Sequence, residues 1–564
     1  MVKTFNTTGP CRPAKHYMLP VLSRLPNVPK LLEEELYFVL HAPRQSGKTT
    51  FLNTLTDTIN SNSNYYALSC SLATLTDISD DYEAMKRIVS QINVALDCSK
   101  VEAIQKLAGT FDSLPAMAHP DAKVRKILNS ICRSLDKELV AFFDEADCLS
   151  ESPLITFLTQ IRDGYNDRSG DPGTKFPKSL ALAGMRNIKD YKTKVRPDEQ
   201  SRAIASPFNI IEESLTLANF TIEEIKILYD QHTQATGQVF EPQAADRVWY
   251  WSEGQPWLVN ALAKEAAAKI LKNNYSVSVK GSHIDQAAET LIKRRDTHID
   301  SLLERLKEKR ISRVLDSVFA GTKSEVPNDS DDRRYCLELG LVKENENKKL
   351  RPANAVCKEV MSRVIIDQIQ FALDDKISNL EWTDGQTIFI TKILQEFQKF
   401  WRLNSLSFPL RITNLDLISS DSITLEGIDP DTLINNPNLS SFLKQIKDLL
   451  SRKYDEAAYS FMLMAYLQKV VNGGALVHRE FAEGRGAVDL AVVFKNHQYL
   501  IEVKLLGQKT LEESLEQLAG YLDTSGEKEG WLVIFDRSVR KKRDDKIYFR
   551  TLEFNNFIIN VAGC

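Results

Sequence analysis

The stretch "LYFVLHAPRQSGKTTFLNTL", Leu36 to Leu55, constrains the fold more than any other part of the chain. An apolar run of the buried-strand kind leads into a loop that ends Gly-Lys-Thr, and a helical pattern follows at once. In such a strand–loop–helix unit the loop's backbone N–H groups and the positive end of the helix converge on phosphate oxygens. Residues Ala42 to Thr49 fit the pattern of a small residue, four free positions and Gly-Lys-Thr. Gly47 lets the backbone approach the phosphates, Lys48 reaches the β- and γ-phosphates, and the Thr49 hydroxyl is placed to ligate Mg²⁺. Ala42 stands where a glycine is more usual, and smallness is what that position needs. The expected ATP site therefore comprises Ala42, Pro43, Arg44, Gln45, Ser46, Gly47, Lys48, Thr49 and Thr50.

A phosphate loop of this type needs a second strand that ends in carboxylates, and "LVAFFDEADCL", Leu139 to Leu149, supplies one. Asp144 would meet the magnesium ion through its outer sphere, and Glu145 would polarise the attacking water. The letters Asp-Glu-Ala-Asp invite a comparison with helicases. That reading fails, because no Ser-Ala-Thr segment follows and the helical region from Thr216 cannot build a second parallel sheet. Asp147 reads as a polar loop residue.

At 564 residues the chain is too long for one ordinary core. Its 72 basic and 76 acidic residues leave a net charge of -4, which excludes a wholly basic nucleic-acid coat but not a local basic groove. The 8 cysteines form no C-x-x-C pair, which points to reduced thiols and a cytoplasmic protein without a zinc site. No apolar run approaches membrane-spanning length. In the first third, "LYFVLHA", "NYYALSCS", "LVAFFDE" and "SLALAGM" alternate with helical patterns, as in a parallel sheet covered on both faces. Amphipathic helices follow from Thr216, then a helix–hairpin–helix pattern like that of a winged helix. Segment 366 to 450 is the least readable part. Alternation returns in "AVDLAVVF" and "YLIEVKLL", which indicates a second α/β domain.

The first half resembles the AAA-like and STAND group of P-loop ATPases. The resemblance rests on "HYMLP", "FVLHAPRQSGKTT", "FFDEAD", "LALAGMRNIKDY", "SPFNI" and "EGQPWLVNALA". It implies that Gly254 to Pro256 is a lid motif approaching the phosphates, with Pro256 in the nucleotide site, and that Arg186 is a sensor residue. Many STAND members carry histidine where this chain has Gln255. Arg162 and Arg168 are the candidates for an arginine finger acting in a neighbouring subunit.

The sharpest signal in the second half is "GRGAVDLAVVFKNHQYLIEVKLLGQ", which reads as a β-hairpin. Glu502 and Lys504 are two apart and share one face of a strand. With a turn centred between Asn496 and His497, Asp489 lies opposite Lys504 and diagonal to Glu502. Two carboxylates and an amine then fall within roughly 5–8 Å of one another. Such a trio can hold a divalent cation on Asp489 and Glu502, while Lys504 orients a water at the scissile phosphate. A structural salt bridge is the plainer alternative, but charges set among "AVVF", "YLI" and "LL" are expensive without a task.

This pattern resembles the PD-(D/E)XK nuclease superfamily, with Asp489 and the Glu502-Val503-Lys504 triplet as its core. "EQLAGY" matches the Q-x-x-x-Y element of the RecB-like branch and adds Gln517 and Tyr521. The preceding helix offers Glu456 as the superfamily's first acidic residue, with Glu480 next in order. Val488 stands where the superfamily's proline would be.

The resemblances imply an α/β protein with a P-loop parallel sheet at 1–215 and a helical lid at 216–295. A winged-helix-like domain at 296–365, a connector at 366–445 and a nuclease-like domain at 446–564 would follow. The expected cofactors are ATP and Mg²⁺, with Mn²⁺ possible at the nuclease site. The expected partners are nucleic acid, DNA ahead of RNA, and further copies of the chain, and no membrane. The competing reading is a signalling ATPase whose nuclease fold is degenerate and only binds nucleic acid. By analogy with similar fusions, the role is defence against foreign DNA.

Overall fold

The computed structural model describes residues 2–62, 64–111, 122–170, 174–184, 210–294, 305–306, 308–319, 330–373, 380–404, 456–483, 486–495, 497–507, 510–536 and 543–564. The chain divides into two units. The first holds Met1–His298 with Arg334–Glu344 and Pro352–Cys357, and the second holds Ile299–Arg333, Asn345–Arg351 and Lys358–Cys564.

In the first unit five strands form one sheet: β1 (Tyr37–His41), β2 (Tyr65–Ser71), β3 (Glu138–Asp144), β4 (Ser179–Gly184) and β5 (Ile211–Thr216). Their order is β2-β3-β4-β1-β5, and every pairing is parallel. A parallel sheet is covered on both faces, so its central strands read as unbroken apolar runs. Successive residues of β1 accordingly point to opposite cores. Tyr37 and Val39 pack with α2 (Asp81–Asp97), α3 (Lys123–Ser134) and α4 (Glu151–Gly170), while Phe38 and Leu40 pack with α1 (Lys48–Asn62).

Four of the five strands are the expected ones. The fifth, β5, escapes the sequence pattern: "IEESLT" carries three polar residues in a row and lies at the sheet edge, where only one flank needs a partner. Among the described residues no helix is long and apolar enough to cross a membrane.

The helical region after β5 comprises α5 (Ile222–Thr236), α6 (Pro242–Ser252), α7 (Pro256–Lys264) and α8 (Gly281–Arg294). A capping box of Thr221 and Glu224 starts α5, and Gly237 in the left-handed conformation ends it. Gly254, between α6 and α7, has no substitute. Its φ is +75°, and an added Cβ would lie 1.9 Å from the Phe220 carbonyl oxygen. Further on, two short strands, β6 (Val342–Glu344) and β7 (Leu350–Pro352), lie in chain order between helices Asp331–Glu338 and Ala355–Ala372.

In the second unit a six-stranded sheet has the order β12-β13-β11-β10-β9-β8. Its strands are β8 (Leu476–Glu483), β9 (Gly486–Phe494), β10 (His497–Leu505), β11 (Glu529–Phe535), β12 (Tyr548–Phe554) and β13 (Phe557–Gly563). β8, β9 and β10 are antiparallel neighbours, while β10 and β11 are parallel and joined through one helix; helices α9 (Ala355–Ala372), α10 (Ile390–Asn404) and α11 (Glu456–Val471) precede β8 in the chain, and the joining helix is α12 (Leu511–Ser525). Ile501, Val503 and Leu505 of β10 face a core that includes Phe397 of α10 and Phe461 and Met462 of α11. Leu500 faces the opposite core with Leu515 and Leu518 of α12. Helix α10, which falls in the stretch read as a connector, thus contributes Ile390, Ile393, Leu394 and Phe397 to the core of this unit.

Candidate functional site

The loop after β1 wraps as the phosphate-binding pattern requires. Gly47 has φ +95° and Gln45 φ +59°, so the chain turns its N–H groups inward before α1 begins. The Lys48 Nζ donates to the carbonyls of Ala42 at 2.5 Å and Pro43 at 2.9 Å, folded over its own loop. The Thr49 hydroxyl donates to Asp144 Oδ2 at 2.6 Å. β1 and β3 are separated by β4 alone, and this spacing delivers Thr49 and Asp144 to the same point.

Glu145, in the left-handed conformation at φ +57°, turns away from β3 and accepts from Ser71 Oγ at 3.3 Å. Burial raises the Asp144 and Glu145 carboxyls above their usual range and lowers the Lys48 ammonium, against the pull of their opposite charges.

These residues line a cavity of about 360 Å³, and Arg44 to Phe51, Asp144, Glu145 and Pro256 all contribute to its walls. Ser46 is among the lining residues, and its hydroxyl oxygen is buried, with no hydrogen-bond partner among the described residues. The inward-turned loop, the Lys48 ammonium and the start of α1 together offer the donors that phosphate oxygens take. The residues present therefore suit a nucleoside triphosphate, with Thr49 and Asp144 the oxygen donors available to its magnesium ion.

Several lining residues were not legible in the sequence. Asp147, read as a polar loop residue, lines the cavity; it lies so close to β4 that a Cβ on Gly184 would be 2.7 Å from its Oδ1. An N-terminal strap crosses the same cavity. The Cys11 N–H donates to Thr50 Oγ1 at 3.0 Å, so the Thr50 hydroxyl serves the strap. Trp257 Nε1 and Lys264 Nζ of α7 donate to the carbonyl and hydroxyl of Thr7, each at 2.9 Å.

Gln255 caps its own helix, with its side-chain oxygen accepting from the Leu258 N–H at 2.8 Å. Arg168 is tied to the Pro177 and Lys178 carbonyls at the start of β4, at the far end of the strands from the P-loop. Arg162 pairs with the adjacent Asp163. Arg186 lies outside the described residues.

In the second unit the hairpin register differs from expectation. Phe494 pairs with His497 and Leu490 with Ile501, so the turn follows Phe494, with Lys495 at φ +54°. Continuing that register sets Asp489 opposite Glu502 and diagonal to Lys504, the reverse of the expected pairing. The slip amounts to two positions across the ladder, and a two-residue slip keeps every side chain on its face. The charged trio therefore survives the error.

Three oxygens converge on the Lys504 Nζ: Glu502 Oε1 at 2.7 Å, the Val503 carbonyl at 3.0 Å and Asp489 Oδ2 at 3.4 Å. Glu502 is 0% exposed and Lys504 8%. Asp489 Oδ2 also accepts from the Val503 N–H at 2.8 Å, which fixes the carboxylate against β10. Gln517 of α12 donates its amide to Glu502 Oε1 at 2.6 Å and to the Tyr521 hydroxyl at 3.1 Å. Spacing placed Gln517 and Tyr521 on one helix face; which group they serve was not readable. Burial first, and then the Asp489 charge, push the Glu502 carboxyl up to about 7 against the opposing pull of Lys504.

Among the described residues no three His, Cys, Asp or Glu side chains are grouped to hold a metal ion. The donor set here is two carboxylates and a backbone carbonyl already gathered round one cationic nitrogen, and it suits a hard divalent cation once the lysine moves aside. Glu456 opens α11, but its side chain is outside the described ones, as is that of Glu480.

The sheet order β2-β3-β4-β1-β5, the Gly-Lys-Thr loop after β1 and the carboxylates after β3 define the first unit as a P-loop NTPase fold. Solved structures with some likeness include the Walker-type ATPase PABY2304 of Pyrococcus abyssi, at 15% identity and TM-score 0.42, over 63% of this chain and 99% of that chain. Another is the ORC2 protein of Aeropyrum pernix, at 12% identity and TM-score 0.36, over 61% of this chain and 93% of that chain. A third is the RuvB Holliday junction branch migration motor of Thermotoga maritima, at 15% identity and TM-score 0.31, over 60% of this chain and 94% of that chain. The fold assignment rests on the sheet and loop, not on these likenesses. A family model described as a domain of unknown function (DUF8371) matches residues 431–538, which include Asp489, Glu502, Lys504 and Gln517. No curated protein matches the chain.

Proposed function

We propose that the protein is an ATP-binding and ATP-hydrolysing switch of the STAND type that controls a metal-dependent nuclease of the PD-(D/E)XK kind on the same chain. One observation carries the nuclease half: a lysine whose ammonium lies 2.7 Å from a fully buried glutamate and 3.4 Å from an aspartate, on the adjacent strands β9 and β10. Structural ion pairs are rarely worth that desolvation, whereas a phosphodiester-cleaving site needs these groups together.

In this reading Asp489 and Glu502 hold Mg²⁺ or Mn²⁺, with the Val503 carbonyl beside them. The bound ion supplies charge neutralisation at the scissile phosphate. Lys504 orients the attacking water and shares the developing negative charge, and Gln517 fixes the Glu502 carboxylate in place. In the ATPase half, Lys48 binds the terminal phosphates and Thr49 and Asp144 serve the magnesium ion. Glu145, held by Ser71, takes the water's proton. Arg186 is the sensor in this scheme and Glu456 the further acidic residue of the nuclease. The substrate is nucleic acid, DNA ahead of RNA, and nucleotide-dependent self-association gates cleavage. Defence against foreign DNA is the role such a device would serve.

Cleavage of supercoiled plasmid tests both halves, with Mg²⁺ or Mn²⁺ and with and without ATP. Cutting that is lost in Lys504→Ala and altered in Lys48→Ala is the expected result. Equal cutting by Lys504→Ala and wild type removes the nuclease. Equal cutting by Lys48→Ala and wild type in every nucleotide state removes the coupling. Retention of DNA without cutting, and with no need of metal, would favour the binding-only reading.

A further inference from the structure

Residues Thr4 to Tyr17 form a loop whose two ends meet. The Thr4 N–H donates to the Lys15 carbonyl at 2.9 Å, and the Tyr17 N–H donates back to the Thr4 carbonyl at 3.2 Å. A surface loop closed at its neck in this way is an Ω-loop. The neck is firmly held. Phe5 and Tyr17 are buried, and the Phe5 ring lies 4.9–6.0 Å from those of Tyr17, Tyr229, His232 and Phe240. The Tyr17 hydroxyl lies 3.2 Å from His232 Nδ1.

The strap between these ends is held differently. Asn6, Thr7, Gly9, Pro10 and Cys11 line the nucleotide cavity, and each of them keeps some exposure. Thr8, Gly9 and Pro10 are exposed, and a Cβ added at Gly9 would meet nothing within 4 Å. Hydrogen bonds more than packing therefore fix this part. On one side the Cys11 N–H reaches Thr50, the neighbour of Thr49; on the other, Trp257 and Lys264 of α7 reach Thr7. Partly exposed bonds with few apolar contacts open at low cost, whereas a buried aromatic neck holds until much more of the structure opens.

We propose that this strap is the gate of the nucleotide cavity: it swings on the Phe5–Tyr17 neck, and its bonds to Thr50 and α7 set how fast nucleotide enters and leaves. The inference rests on the nucleotide reading of the P-loop and goes beyond it, because it assigns the element that limits exchange. These bonds are made within the protein and need no ligand. Loosening them opens the way in and the way out alike, so both rates rise while affinity moves little. Loss of a contact to the nucleotide itself would raise the off-rate alone. Cys11 supplies a second readout. Burial raises its thiol, with Asn6 and Thr50 opposing, and a strap that opens exposes that thiol to alkylation.

The test is stopped-flow binding and release of N-methylanthraniloyl-ADP with Mg²⁺, on full-length wild type, Thr7→Val, Lys264→Met, the double variant and Thr7→Ser. Circular dichroism and the thermal transition confirm that each variant is folded. Alkylation of Cys11 by iodoacetamide, without nucleotide, is followed by mass spectrometry of its peptide. Thr7→Val and Lys264→Met should each raise the on-rate and the off-rate together by about threefold to tenfold, the effect of one partly buried hydrogen bond, and speed Cys11 alkylation by a similar factor. The double variant should exceed either single one by less than about twofold, because both remove the same bond. Thr7→Ser keeps the acceptor and should match wild type.

Rates unchanged in both single variants overturn the proposal. So does an off-rate that rises while the on-rate stays fixed, because Thr7 and Lys264 then act on the nucleotide and not on the strap. Faster exchange with Cys11 alkylation unchanged also overturns it, since the strap has not opened. Failure of wild type to bind the nucleotide refutes the P-loop reading itself, a result distinct from binding whose rates ignore the strap.

Discussion

Glu502→Gln separates the cost of the buried carboxylate from its use. The folded chain holds this carboxyl at about 7, against an ordinary value of 4.5. Between those two pH values the folded state keeps a proton that the unfolded state has lost. Stability therefore falls as pH rises from 4.5 to about 7 and is level above. Such a shift corresponds to about 3 kcal/mol at pH 8, an upper bound because the attraction of Lys504 disappears with the charge. The glutamine keeps the shape and an acceptor for the Gln517 amide.

The expected result is a second unit more stable at pH 8 by about 1–3 kcal/mol, with a flattened pH dependence and no metal-dependent cleavage. Hydrogen exchange of peptides from β10 and β11, compared between variant and wild type at each pH, reads this local stability without assuming that the whole chain unfolds in one step. A variant no more stable than wild type at pH 8, or with the same pH slope, would refute the claim that this carboxylate is held at a cost.

Because a proton and a metal ion compete for Glu502, Mn²⁺ binding should weaken as pH falls through about 7; calorimetry at pH 6 and 8 measures it, and equal affinity at both would count against Glu502 as a ligand. Gly254→Ala, which would put a Cβ 1.9 Å from the Phe220 carbonyl oxygen at a φ of +75°, should destabilise the packing of α5, α6 and α7 by more than about 2 kcal/mol. A thermal transition within a degree of wild type would contradict that. Arg168→Ala should lower stability, since its guanidinium holds two carbonyls and stacks over Tyr165, but should leave the ATP turnover of the remaining folded protein unchanged. Loss of turnover at full stability would point instead to a role at the nucleotide of a neighbouring subunit.

Both candidate sites were legible to the extent that they are local. The P-loop is a strand, a turn and a helix start within twenty residues, and the backbone geometry that binds phosphate is contained in that stretch. Glu502 and Lys504 share a face because strand side chains alternate, whatever the register. The register itself was misjudged because it depends on which two residues make the turn, and several neighbouring pairs in "KNHQ" can do so. The strand β5 was missed because an edge strand needs little apolar alternation.

What only the tertiary structure decided is the company each residue keeps. Asp147 lines the cavity beside the P-loop, Gln517 holds Glu502, and Thr7 reaches Trp257 across 250 residues of sequence. Periodicity assigns a side chain to a face of its own element. Which other element covers that face is fixed by the packing of the whole sheet, and no window of sequence contains that contact.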